Sequence, residues 1–206
     1  MWDTRKTSRG TLYIAPNAPE GSGDLLLEPS EQTGPLIGRG EYGAVYRASA
    51  NLVIKQSLRT VKRPAPAVER FAFGLDGLRF AVSLERGLKL LGDDAILPPT
   101  ATSPDGPRLV MTDYHGALIG PWGARIAMSP MPEGARPIFD EDGSASTHNA
   151  RMVVVRAALG AVGFKNTHFF SSVDDLPTDR ETNLFALPDD GSGQSQVMLL
   201  DPMPMR

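Results

Sequence analysis

Gly38-Arg39-Gly40-Glu41-Tyr42-Gly43-Ala44-Val45 has the spacing G-x-G-x-x-G-x-V, and Lys55 stands on the next apolar run, Leu52-Val53-Ile54-Lys55. These residue types suit the gripping of a polyphosphate. A side chain at Gly38, Gly40 or Gly43 would keep backbone N–H groups away from phosphate oxygens. An ammonium on the strand beneath adds a fixed positive charge. A second set of chemically capable residues lies near the end of the chain. Asn183 directly precedes the apolar run Leu184–Leu187, and Asp201 directly follows Val197–Leu200, with the turn Asp189-Asp190-Gly191-Ser192-Gly193 between them. Magnesium takes oxygen ligands, and an Asn before one strand and an Asp after its hairpin partner are placed to share one ion. An aspartate upstream of both could orient the proton of an attacking hydroxyl.

The elements that must position these groups follow from punctuation and periodicity. After Gly43 come Ala44–Ala48, a short polar turn at Ser49-Ala50-Asn51, and Leu52–Ile54, which is strand, turn, strand. A dinucleotide fingerprint would need a helix after the glycines, and a Walker loop would need G-K-[ST]; neither is present. Residues 68–91 predict a helix, with Phe71, Leu75, Leu78 and Val82 stepping along one face. The next position on that stripe is Glu85. A carboxylate there either sits at a solvated edge or needs a buried partner, for which Lys55 is the candidate; Glu69, at the helix start, is the alternative partner. Gly92-Asp93-Asp94 ends the helix, then Ala95–Pro99 is extended, Ser103-Pro104-Asp105-Gly106 is a turn, and Arg108–Met111 is a strand. Residues 120–149, rich in proline and glycine, read as an irregular insertion without chemistry. Residues 151–162 predict a buried helix stopped at Gly163.

Composition bounds the rest. With 206 residues and 41% hydrophobic content, the chain suits one domain or two small lobes, while 18 prolines and 21 glycines imply many irregular stretches. Net charge is −3 without a basic stripe, which argues against a nucleic-acid partner. There is no cysteine, so disulfides, thiolate metal sites and cysteine nucleophiles are excluded. No apolar run is long enough for a membrane span, and the amino terminus lacks a Sec-type signal core. Such a chain suits the cytoplasm, and also translocation in an unfolded state.

The Gly-rich hairpin, the strand-borne lysine, the helix with its acid, and Asn183 with Asp201 together resemble the protein-kinase-like family over residues 35–201. The resemblance implies an α+β, bilobal fold. It comprises a flexible or partly ordered tail (1–34, with one strand packed on the body), an N-lobe with antiparallel sheet, one αC-like helix and hinge (35–114), and a minimal helical C-lobe (115–206). It implies ATP and Mg²⁺ as cofactors. Gly38, Gly40, Gly43, Val45 and Lys55 would hold the nucleotide, with the backbone of Thr112 to Tyr114 on the adenine edge and Met111 behind it. Lys55 would be steadied by Glu85, Asn183 and Asp201 would hold metal, and Asp179 would be the base, with Asp175 second. Tyr114 and His115 are either ordinary loop residues or direct ligand contacts, and His168 is structural.

The chain also departs from that pattern. The family's base stands five residues before the Asn, where this chain has Thr178; Asp179 is one residue closer. Pro202-Met203 replaces Phe-Gly after Asp201, and the chain given stops at Arg206 without an A-P-E segment. It therefore resembles the minimal kinases of bacterial effectors and mobile elements, which implies a monomer that phosphorylates Ser/Thr of a partner or host protein, reached by a non-Sec route. The alternatives are a non-catalytic binding module, supported by the displaced base, and a kinase-fold enzyme that modifies a small molecule or transfers AMP.

Overall fold

The computed structural model describes residues 2–28, 34–40, 43–58, 73–99, 103–121, 123–138, 145–164 and 184–200. They form an α+β chain of two compact units: Met1–Phe80 with Asp113–Pro130, and Ala81–Thr112 with Met131–Arg206.

The first unit is built on a seven-stranded antiparallel sheet. Its strands are β1 (Asp3–Thr7), β2 (Gly10–Ile14), β3 (Leu36–Arg39), β4 (Gly43–Ser49), β5 (Leu52–Ser57), β7 (Tyr114–Gly120) and β8 (Gly123–Met128), in the order β1-β2-β7-β8-β5-β4-β3. One continuous row of cross-strand neighbours runs Thr4, Tyr13, Ala117, Ile126, Lys55, Val45, Gly38. Residues in such a row point to one face. Lys55 and Val45 are therefore on the face opposite the main apolar cluster, which consists of Leu12, Leu26, Leu52, Ile54, Leu118 and Ala127. That cluster is roofed by a six-residue helix, α1 (Ser22–Leu27), whose Leu26 is fully buried. So short a helix is unstable alone. Its last carbonyls are met by guanidinium groups: Arg125, buried on β8, donates to Leu26 O at 2.9 Å and to Glu28 O, and Arg9 donates to Leu27 O.

Two expectations differ from this architecture. Residues 1–34 read as a tail with one strand, yet residues 3–27 hold two strands and a helix that complete the core. The alternation in Thr11-Leu12-Tyr13-Ile14 carries β2, and its ladder to β7 supplies the partner that composition cannot show. Residues 120–128 read as the start of an irregular insertion, yet Gly123–Met128 is a central strand bonded to both β5 and β7. Its glycines mark a hairpin turn. Gly123 has φ 112°, a conformation that disfavours a side chain.

The second unit has a four-stranded sheet in the order β6-β11-β10-β9: β6 (Arg108–Met111), β9 (Arg136–Pro137), β10 (Leu184–Ala186) and β11 (Gln196–Leu199), with β6 parallel to β11. The strand at 108–111, expected in the N-lobe sheet, belongs here instead. The predicted turn before it is present, with Gly106 N–H donating to Ser103 O at 3.0 Å. Helix α2 (Leu75–Leu91) crosses the unit boundary in sequence, and α3 (Ala145–Ala161) lies in the second unit. Met152, Val154, Val155, Ala158 and Leu159 are the buried apolar residues of α3 among those described. Gly163 (φ 67°) stops it, its N–H on Gly160 O at 2.9 Å and that of Phe164 on Leu159 O at 3.0 Å. No described helix is long and apolar enough to cross a membrane.

Candidate functional site

β3 and β4 form the predicted Gly-rich hairpin, closed by Gly40 N–H on Gly43 O at 2.8 Å. An irregularity between Leu36 and Gly38 offsets the ladder. The turn to β5 is held by Asn51 N–H on Ser49 Oγ at 3.3 Å. This sets the register Val45 opposite Lys55, so the lysine is the cross-strand neighbour of the motif's valine on the same sheet face. The three glycines are not equivalent. Among the described residues, nothing lies within 4 Å of where a Cβ would stand on Gly38 or Gly40. At Gly43 the same atom would stand 2.9 Å from Phe73 Cζ and 3.1 Å from Lys55 Cε. The Lys55 ammonium lies 5.5 Å from the centroid of the Phe73 ring. This arrangement presents an open glycine strand, a lysine and an aromatic ring on one sheet face, which suits an anionic ligand above the hairpin.

Glu85, on α2 in the second unit, is only 5% exposed. The solvated-edge alternative is thereby overturned. The buried face of α2 carries Leu78, Phe80, Ala81, Leu84, Glu85 and Leu88, and Val82 is only half-buried, so the helix is turned a little from the predicted axis. Lys89, one turn on, donates to Glu85 Oε1 at 3.1 Å. A buried carboxylate needs such a donor, because desolvation of an unpaired charge costs several kcal/mol. Glu85 and Lys89 also line a cavity of about 270 Å³, together with Leu88, Arg108, Leu109 and Met111.

Thr112 is buried at the end of β6, and Tyr114 opens β7 opposite Met128 rather than sitting in a connector. The connector that follows the last strand of the first sheet is Ser129–Pro130. It is tied back by Ser129 N–H on Asp113 O at 2.9 Å and by Ser129 Oγ with His115 Nε2 at 2.8 Å. His115 is therefore a buried strand residue, where a residue of a loop connector was expected, either as a plain loop residue or as a ligand contact.

In the second sheet Leu184 pairs with Leu199, so the start of β10 and the end of β11 meet at one end of the hairpin. Asn183 precedes the first in sequence and Asp201 follows the second by two. An amide oxygen and a carboxylate are a donor set that fits Mg²⁺. Asn183, Asp201, Asp179, Asp175, Glu69 and His168 themselves lie outside the described residues.

Comparison with protein-family models, curated proteins and solved structures returned no match to this chain.

Two features escaped the sequence. Phe73 follows Phe71 by two, and helical periodicity drew attention to the latter. Ser129-Pro130-Met131-Pro132 looked like the interior of a loop; the apolar run Ala124–Met128 before it was the available signal.

Proposed function

We propose that this chain is an ATP- and Mg²⁺-dependent phosphotransferase with a protein-kinase-like bilobal architecture, acting on a hydroxyl of a partner protein. The observation that carries the proposal is the order within the first sheet. Along the chain come a Gly-rich hairpin, a lysine strand, a helix, the strand β6 that joins the other sheet, and a second hairpin hydrogen-bonded to the lysine strand, and then a connector leaves the sheet. This is the element order that the resemblance implies for an N-lobe. The second hairpin, however, is β7–β8, not the segment around β6. The adenine edge is accordingly assigned to Ser129–Met131 in place of Thr112–Tyr114. Ser129 N–H is engaged by Asp113 O, and Pro130 has none, so the Ser129 carbonyl and the Met131 N–H are the groups that would meet the base.

In this reading Gly38 and Gly40 let the backbone approach the phosphates, and Lys55 supplies the point charge. Asn183 and Asp201 would hold Mg²⁺, which neutralises charge developing on the phosphate oxygens. Asp179 orients the acceptor hydroxyl. Positioning and electrostatics account for most of such a rate enhancement, so few residues suffice. The test is phosphate incorporation from γ-labelled ATP into the protein and into a cell lysate, with Lys55→Met and Asp201→Ala alongside. Label lost in both variants supports the reading. Label retained in Asp201→Ala removes that residue from the metal role. No label with wild type, but saturable nucleotide binding, points to a binding module.

A further inference from the structure

We infer that Phe73 is a positioning residue for the phosphate grip, fixing Lys55 relative to the Gly-rich hairpin; this rests on the nucleotide-binding reading of Gly38–Lys55. Gly43 pairs with Ser57 and Val45 with Lys55, so these four residues share one sheet face. Phe73, 6% exposed, packs on that face. Its Cζ and the Lys55 Cε converge on the space a Gly43 side chain would fill, at 2.9 and 3.1 Å from that point. The Lys55 ammonium meets the ring 5.5 Å from its centroid, within the range over which a ring quadrupole attracts a cation.

Two consequences follow. A Cβ at Gly43 would crowd Phe73, the lysine stem and the Gln56 carbonyl, whereas nothing among the described residues lies within 4 Å of one at Gly38 or Gly40, so the motif's glycines divide into a packing position and two ligand positions. The ring also restricts the ammonium before any ligand arrives, which removes part of the ordering cost from the binding step. An aliphatic side chain of similar bulk keeps the packing and loses the quadrupole, so bulk and ring can be separated by substitution.

The experiment uses the full chain as wild type, Phe73→Leu, Phe73→Met and Phe73→Tyr, with thermal unfolding run on each. In the ligand-free protein, NMR reads the ring-current shift of the Lys55 ε-methylene. Calorimetric titration with Mg–ATP reads affinity, and steady-state kinetics separates KM from kcat. The shift is expected in wild type and Phe73→Tyr and is expected to be absent from both aliphatic variants. Affinity should be unchanged in Phe73→Tyr and about two- to fivefold weaker in Phe73→Leu or Phe73→Met, with the change in KM and not in kcat. If an aliphatic variant does not fold, the other carries the comparison with Phe73→Tyr. Aliphatic variants that bind as wild type does, or a Lys55 methylene at its free-chain position in wild type, overturn the inference while leaving nucleotide binding intact. A wild-type protein that does not bind Mg–ATP overturns the underlying reading, and this inference with it.

Discussion

Replacing Gly87 by alanine tests the packing that carries Glu85. Gly87 lies on α2 two residues after the buried acid, and a Cβ built there falls on the carbonyl oxygen of Ala158 and 2.9 Å from its Cα. Ala158 is fully buried on α3, and both contacts are to backbone, so no rotamer change relieves them. The two helices must separate. Overpacking of this kind costs about 1–3 kcal/mol, and an obstacle made of backbone belongs at the upper end. Alanine is the better helix former by about 1 kcal/mol, which offsets part of the cost. The expected net effect is a loss of about 2 kcal/mol, or roughly 4–8 °C in the unfolding midpoint for a chain of this length. Gly160→Ala is the matched control. It is also helical, nothing among the described residues lies within 4 Å of its missing Cβ, and it should be neutral or stabilising by up to about 1 kcal/mol. Denaturant and thermal unfolding followed at 222 nm measure both. A Gly87→Ala protein as stable as wild type would refute the close helix crossing.

Gly38→Ala and Gly40→Ala should leave stability within about 0.5 kcal/mol of wild type, since nothing among the described residues lies within 4 Å of a Cβ at either position and neither has a left-handed backbone. Nucleotide affinity should fall by about tenfold or more in each, the loss of one charge-assisted contact; unchanged affinity removes the loop from the phosphate site. Deleting residues 1–34 removes Leu12 and Leu26 from the main cluster, each worth about 1.5–3 kcal/mol of burial. The truncated chain should lose its cooperative unfolding transition; an unaltered transition would make the segment a dispensable tail. The Asp190 carboxyl is held below the ordinary aspartate value of 3.8, first by the Ser192 side chain and then by its backbone N–H. Because the folded value is the lower one, this contact favours the folded β10–β11 turn above 3.8 and is lost as pH falls through the folded value. Carboxyl-carbon NMR should give a midpoint under 3.8 that rises in Ser192→Ala; a midpoint at or above 3.8 in wild type contradicts the contact.

What the sequence made legible, and what it hid, follows the distance over which each signal acts. The Gly-rich hairpin, the turn at Ser103–Gly106, the stop at Gly163 and the burial of the Glu85 position rest on residues within one or two turns of each other, where φ preferences and periodicity are strong. Strand neighbours are different. Which strand borders β5 is settled by pairing between residues some seventy positions apart, and nothing local in Arg108–Met111 or Ala124–Met128 distinguishes them as candidates. Both are short, mostly apolar runs that carry one arginine and follow a glycine turn. What separates them is the other half of each pairing: β6 finds a parallel partner in β11, while β8 finds β5 on one side and β7 on the other. Under the proposed function, that choice moves the adenine edge by seventeen residues, from Thr112–Tyr114 to Ser129–Met131, and leaves the proposed phosphate grip unchanged. The placement of the glycines and Lys55 was therefore within reach of sequence reasoning because they lie on or between three consecutive strands, β3, β4 and β5. The connector was not, because its place depends on the topology of the whole sheet. In the proposed enzyme the two parts are accordingly separable: substitutions at Gly38 or Lys55 act on the phosphates whichever strand ends the sheet, whereas the role of Ser129–Met131 stands or falls with the β5–β8 ladder.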